Sequence, residues 1–183
     1  MPIQVFVADE QSDQPVDVSR WGGLAERVLA DRGIRGEAEL NVLFVDAGAI
    51  ASLNERFLGH SGPTDVLSFP IEDDVMLSFG PPGGMPPAGS GPGRRGFGDE
   101  PAESSGPGVP MLLGDVVICP EVASRNAPSH AGTYEDELAL LLVHGILHLL
   151  GMDHSDEADA IKMEGLEQAL LDRLHRPGNP AAP

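Results

Sequence analysis

Residues 134–150 read YEDELALLLVHGILHLL, and the second half of that run is apolar nearly all round. A helix of this composition has no polar face to offer water, so it must lie at the centre of whatever the chain folds into. Thr133 is placed to cap it, Glu135, Asp136 and Glu137 put three acids in its first turn, and Gly151 is placed to end it in a left-handed turn. Two histidines, His144 and His148, interrupt the apolar run. Four residues apart, they stack on the same helix face. Buried imidazoles need partners. A metal ion satisfies both at once, binding neutral imidazole nitrogen at about 2.0–2.1 Å.

The stretch HGILHLLGMDH (144–154) adds a third histidine, His154, beyond the glycine. A chain that turns back at Gly151 brings that imidazole toward the other two. Three neutral ligands leave a fourth tetrahedral position open, as catalytic rather than structural zinc sites do. The spacing reproduces the H-E-x-x-H-x-x-G-x-x-H pattern of zinc peptidases, with Gly145 where the glutamate would stand. That glutamate is the general base of those enzymes. Glycine cannot replace it, so peptide hydrolysis by the usual route is disfavoured. Gly145 also forfeits about 1 kcal/mol of helix propensity against alanine. Bulk must therefore be absent there, either to admit a substrate or to let the helix pack closely on a strand.

Around this helix the pattern predicts about four strands interleaved with helices. Strands are expected over 3–7, 38–45, 65–71 and 111–119. Helices are expected over 20–32, from an Asp46 cap to Leu58, from Glu121, and from Ser155 to Leu174, the last with Met163, Leu166, Leu170 and Leu174 facing inward. Between them, residues 78–110 hold 10 Gly and 8 Pro among 33 and show no apolar period. Such a stretch cannot bury enough surface to offset its ordering entropy and reads as a disordered insertion. The expected organisation is one domain over 1–176, interrupted by 78–110, with a flexible tail over 177–183.

The formal charge is −18, with Lys162 the one lysine among 11 basic residues. Such a chain repels nucleic-acid backbones at long range, so it is not a general nucleic-acid coater, and no DNA partner is expected. Charge does not exclude a nuclease with a local metal-bearing site. The single cysteine, Cys119, excludes an intramolecular disulfide and reads as a packed core thiol. No stretch approaches the ~20 apolar residues of a membrane helix, and the expected location is cytoplasmic.

Taken together, LNERFLGHSGPTDVLSFP (53–70), LLGDVVIC (112–119) and HGILHLLGMDH (144–154) resemble the YbeY family of bacterial endoribonucleases. The resemblance spans nearly all of the chain outside 78–110 and the tail. It implies a zincin-like α+β fold with a mixed sheet of about four strands, one zinc per chain on His144, His148 and His154, and single-strand-specific RNA cleavage. It also implies roles in 16S rRNA 3′-end maturation and ribosome quality control, with ribosomal RNA and the ribosome or ribosomal proteins as partners. The family carries an arginine directly after the aromatic of its L-N-x-x-[FY] stretch. Here that position is Leu58, which leaves Arg56 and His60 as candidate catalytic cations. Thr64 or Asp65 is read as capping the turn into the next strand, with Ser68 a candidate neighbour of the metal. Asp153 is a candidate to orient an imidazole. Two rivals stay open: a zincin-type peptidase or amidase, and a ribosome-assembly binding protein with a structural zinc.

Overall fold

A computed structural model describes residues 3–71 and 110–176. The expected insertion, apart from Pro110, and the expected tail 177–183 lie outside the described residues. Strand β1 (Ile3–Asp9) leads to helix α1 (Val18–Asp31), capped by Asp17, whose side chain accepts from the Arg20 N–H at 3.1 Å. Trp21, Leu24, Ala25, Val28 and Leu29 recur at helical spacing and are all buried. Strand β2 (Ala38–Phe44) alternates, burying Ala38, Leu40, Val42 and Phe44. Asp46 then caps α2 (Ala47–Leu58), accepting from the Ala49 N–H at 2.7 Å as the sequence predicts. Strands β3 (Val66–Pro70) and β4 (Met111–Ile118) follow, then the short α3 (Pro120–Asn126), α4 (Tyr134–Leu149) and α5 (Glu157–Leu170). A π-helical turn, Leu171–His175, extends α5. The last helix is capped by Asp156 rather than begun at Ser155, because the Asp156 carboxylate reaches the Asp159 N–H at 2.8 Å.

The four strands form one mixed sheet in the order β1-β2-β4-β3. The β1–β2 and β2–β4 pairs are parallel, and β3 runs antiparallel to β4. The chain is thus a single α+β domain with five α-helices among the described residues. On one side of the sheet, buried residues of α1, α4 and α5 meet β2 and β4 in the main core, including Leu24, Leu40, Val116, Leu142 and Met163. On the other, Ile50 of α2 packs with Leu67, Val117 and Cys119. Cys119 is fully buried, as a core thiol should be, and burial raises its pKa. Helix α4 packs on β3, β4, α1 and α5 at once, which makes it the central helix its composition demands.

Candidate metal centre

Helix α4 is held at both ends by local chemistry. The Thr133 hydroxyl accepts from the Asp136 N–H at 3.1 Å. At the far end Gly151 adopts φ +89°, which only glycine takes readily. The Gly151 N–H donates to the His148 carbonyl and the Met152 N–H to the Leu147 carbonyl, both at 3.0 Å. This pair of bonds is the Schellman closure of a helix, and it reverses the chain so that His154 returns to the helix face it has just left.

The three rings then cluster. His144 and His148 have centroids 4.5 Å apart, His154 stacks 5.7 Å from His144, and His148 and His154 are 5.1 Å apart. One nitrogen from each ring lies within 4.8 Å of the others. The Nε2 atoms of His144 and His148 approach to 2.9 Å, so both offer the same atom to a common point. Behind His144 stands Glu167 of α5, whose Oε1 lies 2.5 Å from Nδ1. A carboxylate only accepts, so it draws the ring proton to Nδ1 and leaves the Nε2 lone pair for a metal. His148 has its pKa lowered, chiefly by burial and then by the neighbouring His144 and His154, which favours the neutral, ligating form. The donor set therefore fits a divalent ion with affinity for imidazole.

Gly145 lies against the sheet. A Cβ there would stand 2.7 Å from Cγ1 of Val116 on β4 and 3.2 Å from the Ser68 hydroxyl oxygen on β3. Ser68 donates its hydroxyl to the Gly145 carbonyl at 3.1 Å. Of the two reasons for a missing side chain at 145, close packing on a strand is the one the structure has. Ser68 is a tie between sheet and helix, one residue from the His144 backbone.

A cavity of about 360 Å³ opens beside the cluster, lined in part by Asp65, His130, His144, His154, Glu164 and Glu167. Asp65 does cap the entry to β3, accepting from the Val66 N–H at 2.9 Å and the Thr64 hydroxyl at 3.3 Å. Asp153 accepts from the His154 N–H at 2.8 Å, and its charge partly offsets the lowering at His148. Arg56 and His60 are placed differently. Arg56 lies on the exposed last turn of α2 with its guanidinium 5.4 Å from the centre of the Phe57 ring, and His60 is exposed in the turn beyond. Neither lines the cavity beside the histidines.

Glu167 is the site residue that pattern reading passes over. Met163, Leu166, Leu170 and Leu174 pack on the core as expected, Leu166 and Leu174 only partly buried, but Glu167 is buried on the same face as well. The signal is present, since an acid four residues after Met163 and three before Leu170 shares their face.

Fold and site together define an α+β protein whose candidate metal centre is built from imidazoles alone, with a carboxylate behind one of them. The sequence profile of the family described as Endoribonuclease YbeY matches residues 6–175. The chain belongs to that family. A protein from Beutenbergia cavernae described as Endoribonuclease YbeY is 42% identical over 161 residues, covering 88% of this chain and 91% of its own. One from Acidothermus cellulolyticus with the same description is 43% identical over 168 residues, covering 91% and 88%. The solution structure of TM1509 from Thermotoga maritima superposes with a TM-score of 0.51 at 22% identity, covering 98% of this chain and all of that one, a likeness of fold. Among the described residues no helix is long and apolar enough to cross a membrane.

Proposed function

We propose that the protein is a cytoplasmic, zinc-dependent, single-strand-specific endoribonuclease of 16S rRNA 3′-end maturation and ribosome quality control. His144, His148 and His154 hold one zinc ion per chain in a zincin-like arrangement. The observation that carries this reading is the convergence of three imidazole nitrogens within 4.8 Å, with Glu167 fixing the proton of His144 on the far side of the ring. The descriptions of its relatives as endoribonucleases support RNA as the substrate.

When bound, such an ion supplies Lewis acidity toward a phosphate oxygen and lowers the pKa of coordinated water. The chain's own part is positional. Gly145 leaves no carboxylate where a peptidase keeps its base, and phosphoryl transfer needs positioning and charge stabilisation more than a dedicated base. Arg56 and His60, exposed at the end of α2, are the proposed cations that engage the RNA backbone. The formal charge of −18 restricts binding to where such local groups act and suits contact with basic ribosomal proteins.

That same charge favours, as a second reading, a ribosome-assembly protein in which the zinc is structural. Zinc-loaded protein incubated with single-stranded and duplex rRNA fragments separates the two. Cleavage of the single strand alone supports the nuclease. Intact RNA together with loss of the folded state on chelation supports the assembly factor. Products ending in 2′,3′-cyclic phosphate would identify the ribose 2′-hydroxyl, rather than water, as nucleophile.

A further inference from the structure

Glu137 is fully buried in the first turn of α4. An acid in the first turn of a helix ordinarily faces solvent as a partner for the helix dipole, but this one faces inward. Both its oxygens are used: His130 Nδ1 lies 2.8 Å from Oε1 and 2.9 Å from Oε2, and the Ala131 N–H donates to Oε2 at 3.1 Å. Taking a carboxylate out of water is unfavourable unless its acceptor capacity is filled. Here it is filled by the loop that carries His130, so Glu137 fixes both the position and the tautomer of that ring. The carboxylate accepts, hence Nδ1 carries the hydrogen, and in the neutral ring Nε2 is an acceptor. Nε2 has no partner among the described residues. The His130 side chain is 57% exposed and lines the cavity that also holds His144 and His154.

Glu137 and His144 are two helical turns apart on one face of α4, a separation of about 10 Å along the axis. His130 is not among the imidazoles whose nitrogens cluster within 4.8 Å, yet it lines the same cavity, where a neighbouring nucleotide of an extended strand would run. An acceptor nitrogen held at fixed orientation in that cavity matches a donor that RNA offers at every step and DNA does not, the ribose 2′-hydroxyl.

We propose that His130, oriented by Glu137, accepts a hydrogen bond from the 2′-hydroxyl of a nucleotide flanking the scissile bond and so helps the site choose RNA over DNA. The inference rests on the nuclease reading and extends it to substrate selection. The test is a set of single-stranded rRNA oligonucleotides, each with one 2′-deoxy substitution near the cleavage point, assayed with zinc-loaded wild type and with His130→Asn. Asparagine keeps an N–H where Nδ1 stands, so Glu137 remains partnered, and it removes Nε2. His130→Ala serves as the second variant, with zinc content and melting temperature checked for both.

At one flanking nucleotide, deoxy substitution should lower wild-type kcat/KM about fivefold to tenfold, the worth of one hydrogen bond. His130→Asn should lower it by a similar factor on the all-ribose strand. The two losses should not multiply, since each removes the same contact. Losses that multiply at every flanking position, or a folded His130→Asn as active as wild type, would overturn the proposal while leaving the nuclease reading intact. Wild-type protein that cleaves neither free RNA nor RNA in the ribosome would overturn both.

Discussion

Glu167 and His144 are 23 residues apart in the chain and meet at 2.5 Å, carboxylate oxygen against Nδ1, across the packing of α5 on α4. The contact couples the last helix to the metal centre, because α5 must dock before His144 acquires a fixed tautomer.

Removing that carboxylate should therefore be felt at the metal. Glu167→Ala is expected to weaken metal affinity about 10–100-fold, the range found for outer partners of ligating histidines. Glu167→Gln should weaken it less, since the amide oxygen still accepts from Nδ1. Competition with a chelator of known affinity measures both, and equal affinities in wild type and Glu167→Ala would contradict the role.

Gly145→Ala tests the packing of α4 on the sheet. Helix propensity alone would gain about 1 kcal/mol from this change. The new Cβ, however, would meet Val116 Cγ1 at 2.7 Å, and that stiff, fully buried side chain has nowhere to move. Overpacking of this kind costs about 1–3 kcal/mol, so the variant should melt below wild type. Adding Val116→Ala should recover part of the fall. A rise in melting temperature would show that the helix has slack against β4.

Acid stability should depend on Asp136. Burial pushes its pKa up, but the hydrogen bonds from Arg176, His175 and Thr133 outweigh burial and hold the carboxyl below its ordinary value of 3.8. A carboxyl with a depressed folded-state pKa contributes stability above its unfolded value and loses it as pH falls through the folded one. Asp136→Asn should therefore lower the melting temperature at neutral pH, with the gap to wild type closing below about pH 4. A gap that persists unchanged to low pH would contradict the ion-pair account.

Strands β3 and β4 pair antiparallel with Pro70 opposite Gly114, and the Ile71 N–H points to the Leu113 carbonyl at 3.4 Å. The described residues that flank 72–109 thus lie side by side, a gap that a short turn can span. Deleting residues 80–108 is expected to leave melting temperature and zinc content unchanged. A large fall in melting temperature would show that this segment belongs to the core.

Elements governed by local chemistry were legible in the sequence. Asp46 and Thr133 cap their helices, Gly151 ends α4, and the spacing of His144, His148 and His154 encodes a cluster because a helix turn and a Schellman closure are local geometry. What escaped depends on tertiary docking. Glu137 reads as a dipole partner, and Glu167 stands out in no pattern, until the loop of His130 and the face of α4 are set against them. Arg56 and His60 were named from the sequence, but their place outside the cavity beside the histidines was not legible, because the phase of α2 follows from sequence and its distance from α4 does not.

The central claim is a metal-dependent cut in RNA. The most direct measurement incubates wild type and His148→Ala, each with its metal quantified, with a labelled single-stranded rRNA fragment, with and without chelator. About one zinc per wild-type chain, cleavage by wild type only, and loss of cleavage on chelation are the expected results. Zinc-loaded wild type that leaves both the fragment and RNA in the intact ribosome uncut would contradict that claim.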